Sequence, residues 1–249
     1  MIPDAYDLRR RVARHWKRFW YGELLRGVIT APVYHFADQE RFDSDEVQAA
    51  GQRIAGMPLR LPHRRVVFEV KDRGPKYRAH VALACETETG VQAVLLTRMG
   101  DRDQWSDVLA HAAFNGSGWA AVLGNPRIGS ESERDGYAQC LTGIVWRALA
   151  ILAKAGTASE QTISRVHWPK LASAGVRGWT WHQVEIVPER LVRASEPAGG
   201  SHASPRWHVR RGHWRQLADG RRVFVQACEV GDPARGGVVK DYLVGATAA

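Results

Sequence analysis

The residues best suited to chemistry crowd near the C-terminus, in His202-Ala203-Ser204-Pro205-Arg206-Trp207-His208-Val209-Arg210-Arg211-Gly212-His213-Trp214-Arg215. This segment holds three of the chain's ten histidines, together with four arginines and two tryptophans. Arginine forks grip phosphates bidentately, and tryptophan offers a stacking platform for an unpaired base. Histidine titrates near neutral pH, so two of them beside an arginine suit metal-independent RNA cleavage. One would take the 2′-hydroxyl proton, the other would protonate the leaving oxygen, and arginine would hold the phosphorane charge. The candidate catalytic residues are therefore His208, His213 and Arg211. The candidate RNA contacts are His202, Arg206, Arg210, Arg211, Gly212, Trp214, Arg215 and Lys240. A plain basic hairpin with solvated arginines accounts for the same residues without any chemistry. No metal is expected, because the cluster has no carboxylate and its histidine spacings match no common zinc pattern. No cofactor is expected either: nucleophilic triads, phosphate loops and dinucleotide fingerprints are lacking.

These residues need a frame. Linker composition at Glu196-Pro197-Ala198-Gly199-Gly200-Ser201 separates a body, 1–195, from a small basic β module, 202–244. Within the module, alternation along a strand from Trp207 to Leu217 puts Arg211, His213 and Arg215 on one face. His208, Arg210 and Trp214 take the other, with Gly212 as a candidate bulge. A hairpin turn at Ala218-Asp219-Gly220 leads into a second strand, Arg221 to Val230.

The body reads as α+β, an antiparallel sheet with flanking helices. Residues 4–28 predict a helix capped by Asp4, with Trp16, Trp20 and Leu24 as its apolar stripe. Arg10, Arg14 and Arg18 repeat on another face of it, either solvated or in contact with phosphate or an acidic partner; sharing a face with the C-terminal cluster they would make one basic surface, and opposed to it they would serve a different partner. A shorter helix follows from Ser44 to Ala55. Strands run over Val66–Val70, Tyr77–Cys85 and Val91–Thr97, separated by polar turns of hairpin length. Val108–Phe114 and Trp119–Leu123 add two short strands around Asn115-Gly116-Ser117-Gly118. The capping box at Ser130-Glu131-Ser132-Glu133 opens a helix to Ala155. A short helix around Pro169–Ala174 and a strand from Trp179 to Val187 complete the body. The tryptophans Trp168, Trp179 and Trp181, with His167 and His182, read as core or interface.

Composition limits the function classes. The 249 residues are 45% hydrophobic and 24% charged, enough apolar side chain for a sizeable core. Thirty-five Lys+Arg against 26 Asp+Glu give a net charge of +9, which suits a polyanionic partner such as RNA. Three scattered cysteines fit a reducing compartment. No apolar run of membrane-spanning length and no secretory signal is read, so a cytoplasmic protein without a membrane partner is expected.

His208-Val209-Arg210-Arg211-Gly212-His213-Trp214 resembles a signature of the type V-A anti-CRISPR family, whose members lower synthesis of the effector nuclease. Phage and prophage relatives carry a similar H-x-R-R-G-H-W run, preceded by a pattern like His202-x-Ser204-Pro205-Arg206. They continue with something like Val230-Gly231-Asp232 and Lys240-Asp241-Tyr242. The resemblance covers residues 202–242 and extends more loosely over 61–190, where Leu61-Pro62 leads into strands. It implies a phage or prophage counter-defence protein that recognises the nascent N-terminal peptide of a target and destabilises its mRNA. RNA, the translating ribosome and that peptide would be its partners, with target choice in the body. The alternatives are a non-catalytic nucleic-acid-binding phage protein, or a metal-independent ribonuclease.

Overall fold

The computed structural model describes residues 3–100, 104–115, 120–173, 175–176, 180–192, 206–210, 212–217, 220–230 and 232–237. For residues 120, 192, 206–210, 213, 230 and 232–237 the backbone alone is described.

Alternating apolar residues and short polar turns make the hairpins of the body. In chain order the first elements are α1 (Ala5–His15), α2 (Gly22–Leu25), β1 (Val33–Phe36), α3 (Gln39–Phe42) and α4 (Asp45–Ile54). The antiparallel meander follows: β2 (Arg65–Lys71), β3 (Tyr77–Thr87), β4 (Gly90–Met99), β5 (Ala110–Asn115) and β6 (Ala120–Gly124). After α5 (Glu131–Ala150) come β7 (Gly156–Thr162), α6 (Trp168–Ala172), β8 (Thr180–Ile186) and α7 (Glu189–Val192). The eight strands form one sheet in the order β6-β5-β4-β3-β2-β1-β8-β7. The sheet is mostly antiparallel; β1 runs parallel to both its neighbours, β2 and β8.

Strand alternation divides the core between two layers. On one face Phe36, Phe68, Ala84, Leu95 and Ile186 pack beneath α4 and α5. On the other, Val67, Leu83, Leu96 and Trp181 pack beneath α1 and its following turns. Helix α5 starts at the capping box, with the Ser130 hydroxyl accepting from Glu133 N and the Glu133 carboxylate from Ser130 N. Its last turn, Ile151–Ala155, widens to π geometry before Gly156 opens β7. The segment Glu131–Ala155 is long and apolar enough to cross a membrane, and here its buried side chains are core.

The single helix expected over 4–28 is broken. Helix α1 ends at His15, a 3-10 turn spans Trp16–Arg18, and Tyr21 takes left-handed φ (53°) before α2. The break folds Gly22 against the preceding turn, where a Cβ would lie 2.1 Å from the Trp16 carbonyl oxygen, so the turn requires glycine there. Trp16, Trp20 and Leu24 therefore form no continuous stripe, although all pack against the α1-side core.

A buried carboxylate locks α1 to the sheet. Glu69, fully buried on β2, accepts from the Asp4 and Ala5 backbone N–H groups at 2.9 and 2.7 Å. These are orphan donors of the first helical turn, where negative charge also meets the positive end of the helix dipole.

Two small sheets follow residue 205. β10 (His213–Gln216) pairs with β11 (Arg222–Val225) as a hairpin. β9 (Arg206–Arg210) lies between β12 (Cys228–Val230) and β13 (Asp232–Gly237). Each of the two long strands expected here is thus split into two pieces, one in each sheet.

Candidate functional site

The β10–β11 hairpin docks on the sheet face shared with α5, over its β7 end, where it meets side chains from three strands. The register sets Glu160 of β7 opposite His182 of β8, and His182 opposite Tyr34 of β1. The three therefore make one cross-strand row on one face. Trp214 and Phe224 face each other in the hairpin, with ring centroids 5.3 Å apart in edge geometry. The indole reaches the row: its centroid lies 5.1 Å from that of His182, which stacks on Tyr34 at 4.7 Å. His63, from the loop before β2, closes the group, its Nε2 3.2 Å from the Tyr34 hydroxyl.

A cavity of about 310 Å³ opens among His63, Glu160, His182, Trp214 and Arg222. Arg222 of β11 lies with Cζ 5.4 Å from the indole centroid. Glu160 is exposed on its strand and forms no ion pair with Arg222 across the cavity. Nδ1 of His182 is buried without a hydrogen-bond partner among the described residues. Gly212, at the entrance to β10, allows the hairpin to close: a Cβ there would stand 3.0 Å from the Phe224 ring and 3.1 Å from Ala227 N.

Burial governs protonation in the cavity. It pushes His63 below the ordinary histidine value, and takes His182 down to about 4, with His63 and Arg222 adding to the second shift. It also raises the Tyr34 phenol, which keeps its proton. At neutral pH both imidazoles are uncharged. Two-histidine cleavage needs one imidazolium as acid. This pair supplies bases and hydrogen-bonding edges without one, beside the Trp214 ring and the Glu160 and Arg222 side chains.

The cluster chosen from the sequence is divided by the fold. Trp214 is in the cavity wall. Arg215 is exposed on the opposite face of the hairpin. The strand bearing His213 pairs with β11, whereas Arg206, His208 and Arg210 lie on β9 in the neighbouring sheet. The side chains of those four residues lie outside the description, as do His202, Arg211 and Lys240 altogether. Tyr34, His63, Glu160, His182 and Arg222 went unselected. Their signal is weak in sequence, since β1 and β7 do not stand out as strands. Beside Trp181, His182 reads as core; alternation sends Trp181 into the α1-side core and His182 to the other face.

The basic residues of α1 belong to the opposite side of the sheet. Arg9 is buried and donates to the carbonyls of Val28 and Ala31. Arg10 pairs with Asp7 at 3.3 Å and lines a cavity of about 200 Å³ with Asp4, His167 and Lys170. Burial pushes the Cys85 and Cys140 thiols up to about 11, consistent with packing. Among the described residues, no three His, Cys, Asp or Glu side chains are grouped to hold a metal ion. Comparison with protein-family models, with characterised proteins and with solved structures returned no match to the chain.

Proposed function

We propose that this protein is an RNA-binding, phage- or prophage-derived counter-defence protein that suppresses synthesis of a target protein. It reads the target's nascent N-terminal peptide and destabilises the message being translated in the cytoplasm. The observation that carries the RNA part is the cavity in which Trp214 meets His182, His63 and Arg222. An aromatic wall beside a guanidinium offers an unpaired base both a stacking surface and hydrogen-bond donors. The net charge of +9 supplies the long-range attraction. For the peptide, strand β6 ends the sheet and offers an edge to which an extended chain can add. The neutral histidines favour binding over cleavage by the cavity itself, so message loss falls to His208, His213 and Arg211, which lie outside the described side chains, or to a recruited nuclease.

Total RNA sequencing in cells that express the protein and carry its target tests this reading. Selective loss of one or a few messages is expected with the wild type and not with Trp214→Ala, whose loss of stacking is worth about 1–3 kcal/mol per base. An unchanged transcriptome with the wild type, or equal message loss with the variant, overturns it.

A further inference from the structure

The cavity contains a carboxylate, which a site built for phosphate alone would exclude. Glu160 lines it beside Arg222, yet the two form no ion pair. From Glu160 the floor continues through its register partner His182 to Tyr34, and Trp214 forms the wall. A carboxylate repels phosphodiesters and accepts hydrogen bonds through two adjacent oxygens. Among the four RNA bases, guanine alone presents two neighbouring donors on its Watson–Crick edge, N1–H and the N2 amino group. Adenine and cytosine present one amino donor beside acceptors, and uracil a single N–H between two carbonyls. Guanine also carries the O6 and N7 acceptors that arginine contacts best. The volume of about 310 Å³ is at the small end of ligand sites, room for one base.

We propose that the cavity selects guanine in single-stranded RNA. Glu160 accepts from N1–H and N2–H of the base, Arg222 donates to its O6 and N7 edge, and Trp214 packs against the ring system. This rests on the RNA-binding reading above and adds the identity of the base.

The test is titration of full-length protein with labelled 12-nucleotide oligouridine strands carrying one central guanosine, adenosine, cytidine or inosine, and with free guanosine monophosphate. Glu160→Gln is the companion variant; its edge position leaves the core intact, and an unchanged melting temperature verifies folding. The guanosine strand is expected to bind about 5- to 150-fold more tightly than the all-uridine strand, the span of a bidentate base contact. Inosine, which lacks the amino group, and the variant should both lose most of that preference, while affinity of the variant for all-uridine RNA should not fall, since a charge that repels phosphodiesters has been removed. Equal affinity for every strand overturns guanine selection and leaves RNA binding standing. A preference that survives in both inosine and Glu160→Gln overturns the role of Glu160. Binding of the free nucleotide with no strand bound overturns the RNA reading and reassigns the guanine site to a mononucleotide. Binding of neither overturns both.

Discussion

His182 is an imidazole held neutral by its surroundings, and this has a measurable consequence. Its value in the folded protein, about 4, is below the ordinary value of about 6.5, so the unfolded chain takes up the proton first. The sign follows: its share of stability is complete above pH 6.5 and is lost as pH falls from there toward 4. His63 is shifted the same way by burial alone, whereas for His182 the neighbouring His63 and Arg222 add to the effect of burial. Thermal denaturation at pH 7.5, 6 and 4.5 should therefore show a shallower acid-side loss in His182→Gln than in the wild type. Identical slopes would mean that this imidazole is solvated rather than buried against Trp214. None of this is legible from Trp181-His182 alone, because which neighbour of a pair enters the core is decided by the register of β8 on β1.

At the level of elements, the attachment of α1 depends on one side chain of β2. Glu69 satisfies two backbone donors at the helix start, and His35 Nδ1 stands 3.0 Å from the same carboxylate, off the axis of a hydrogen bond. Glu69→Gln replaces an acceptor oxygen by a donor against those N–H groups. It should cost roughly 1–3 kcal/mol, a fall of a few degrees in melting temperature for a chain of this size. A melting temperature equal to the wild type's would place the stability of α1 in its apolar face alone. The meander β2–β6, helix α4 and helix α5 were readable because period, turn and cap agree in each. The capping box at Ser130 is the clearest case. Strands β1 and β7 were not: β1 is four residues long, and β7 (GTASEQT) is polar enough to pass for a loop. They are strands because their neighbours supply the ladders, β2 and β8 for β1 and β8 for β7. The long N-terminal helix is interrupted by a 3-10 turn, a left-handed Tyr21 and a glycine packed on the Trp16 carbonyl, features that apolar periodicity does not register.

At the scale of the whole molecule, the sheet stands between two of the described basic groups. Arg215 extends from the hairpin that docks over the β7 end of one face, whereas Arg10 lies with α1 on the other. RNA affinity should fall with salt, and each phosphate contact removed should reduce the log–log slope by about 0.7 for a single strand. Arg215→Ala is expected to lower that slope and Arg10→Ala to leave it unchanged, as read by fluorescence anisotropy across a salt series. Equal effects would mean that RNA wraps both faces. The sequence by itself determined that the chain has a core, an α+β body with a meander and one long capped helix, a surplus of basic charge, and Trp214 as an aromatic near its C-terminal arginines. Those properties are local or additive, and they survive any arrangement of the elements. Only the tertiary structure decided that Trp214 meets Tyr34, His63, Glu160, His182 and Arg222, residues drawn from five separate segments. Register and docking fix such a meeting, and both depend on pairings between residues more than a hundred positions apart in the chain, which no local pattern encodes.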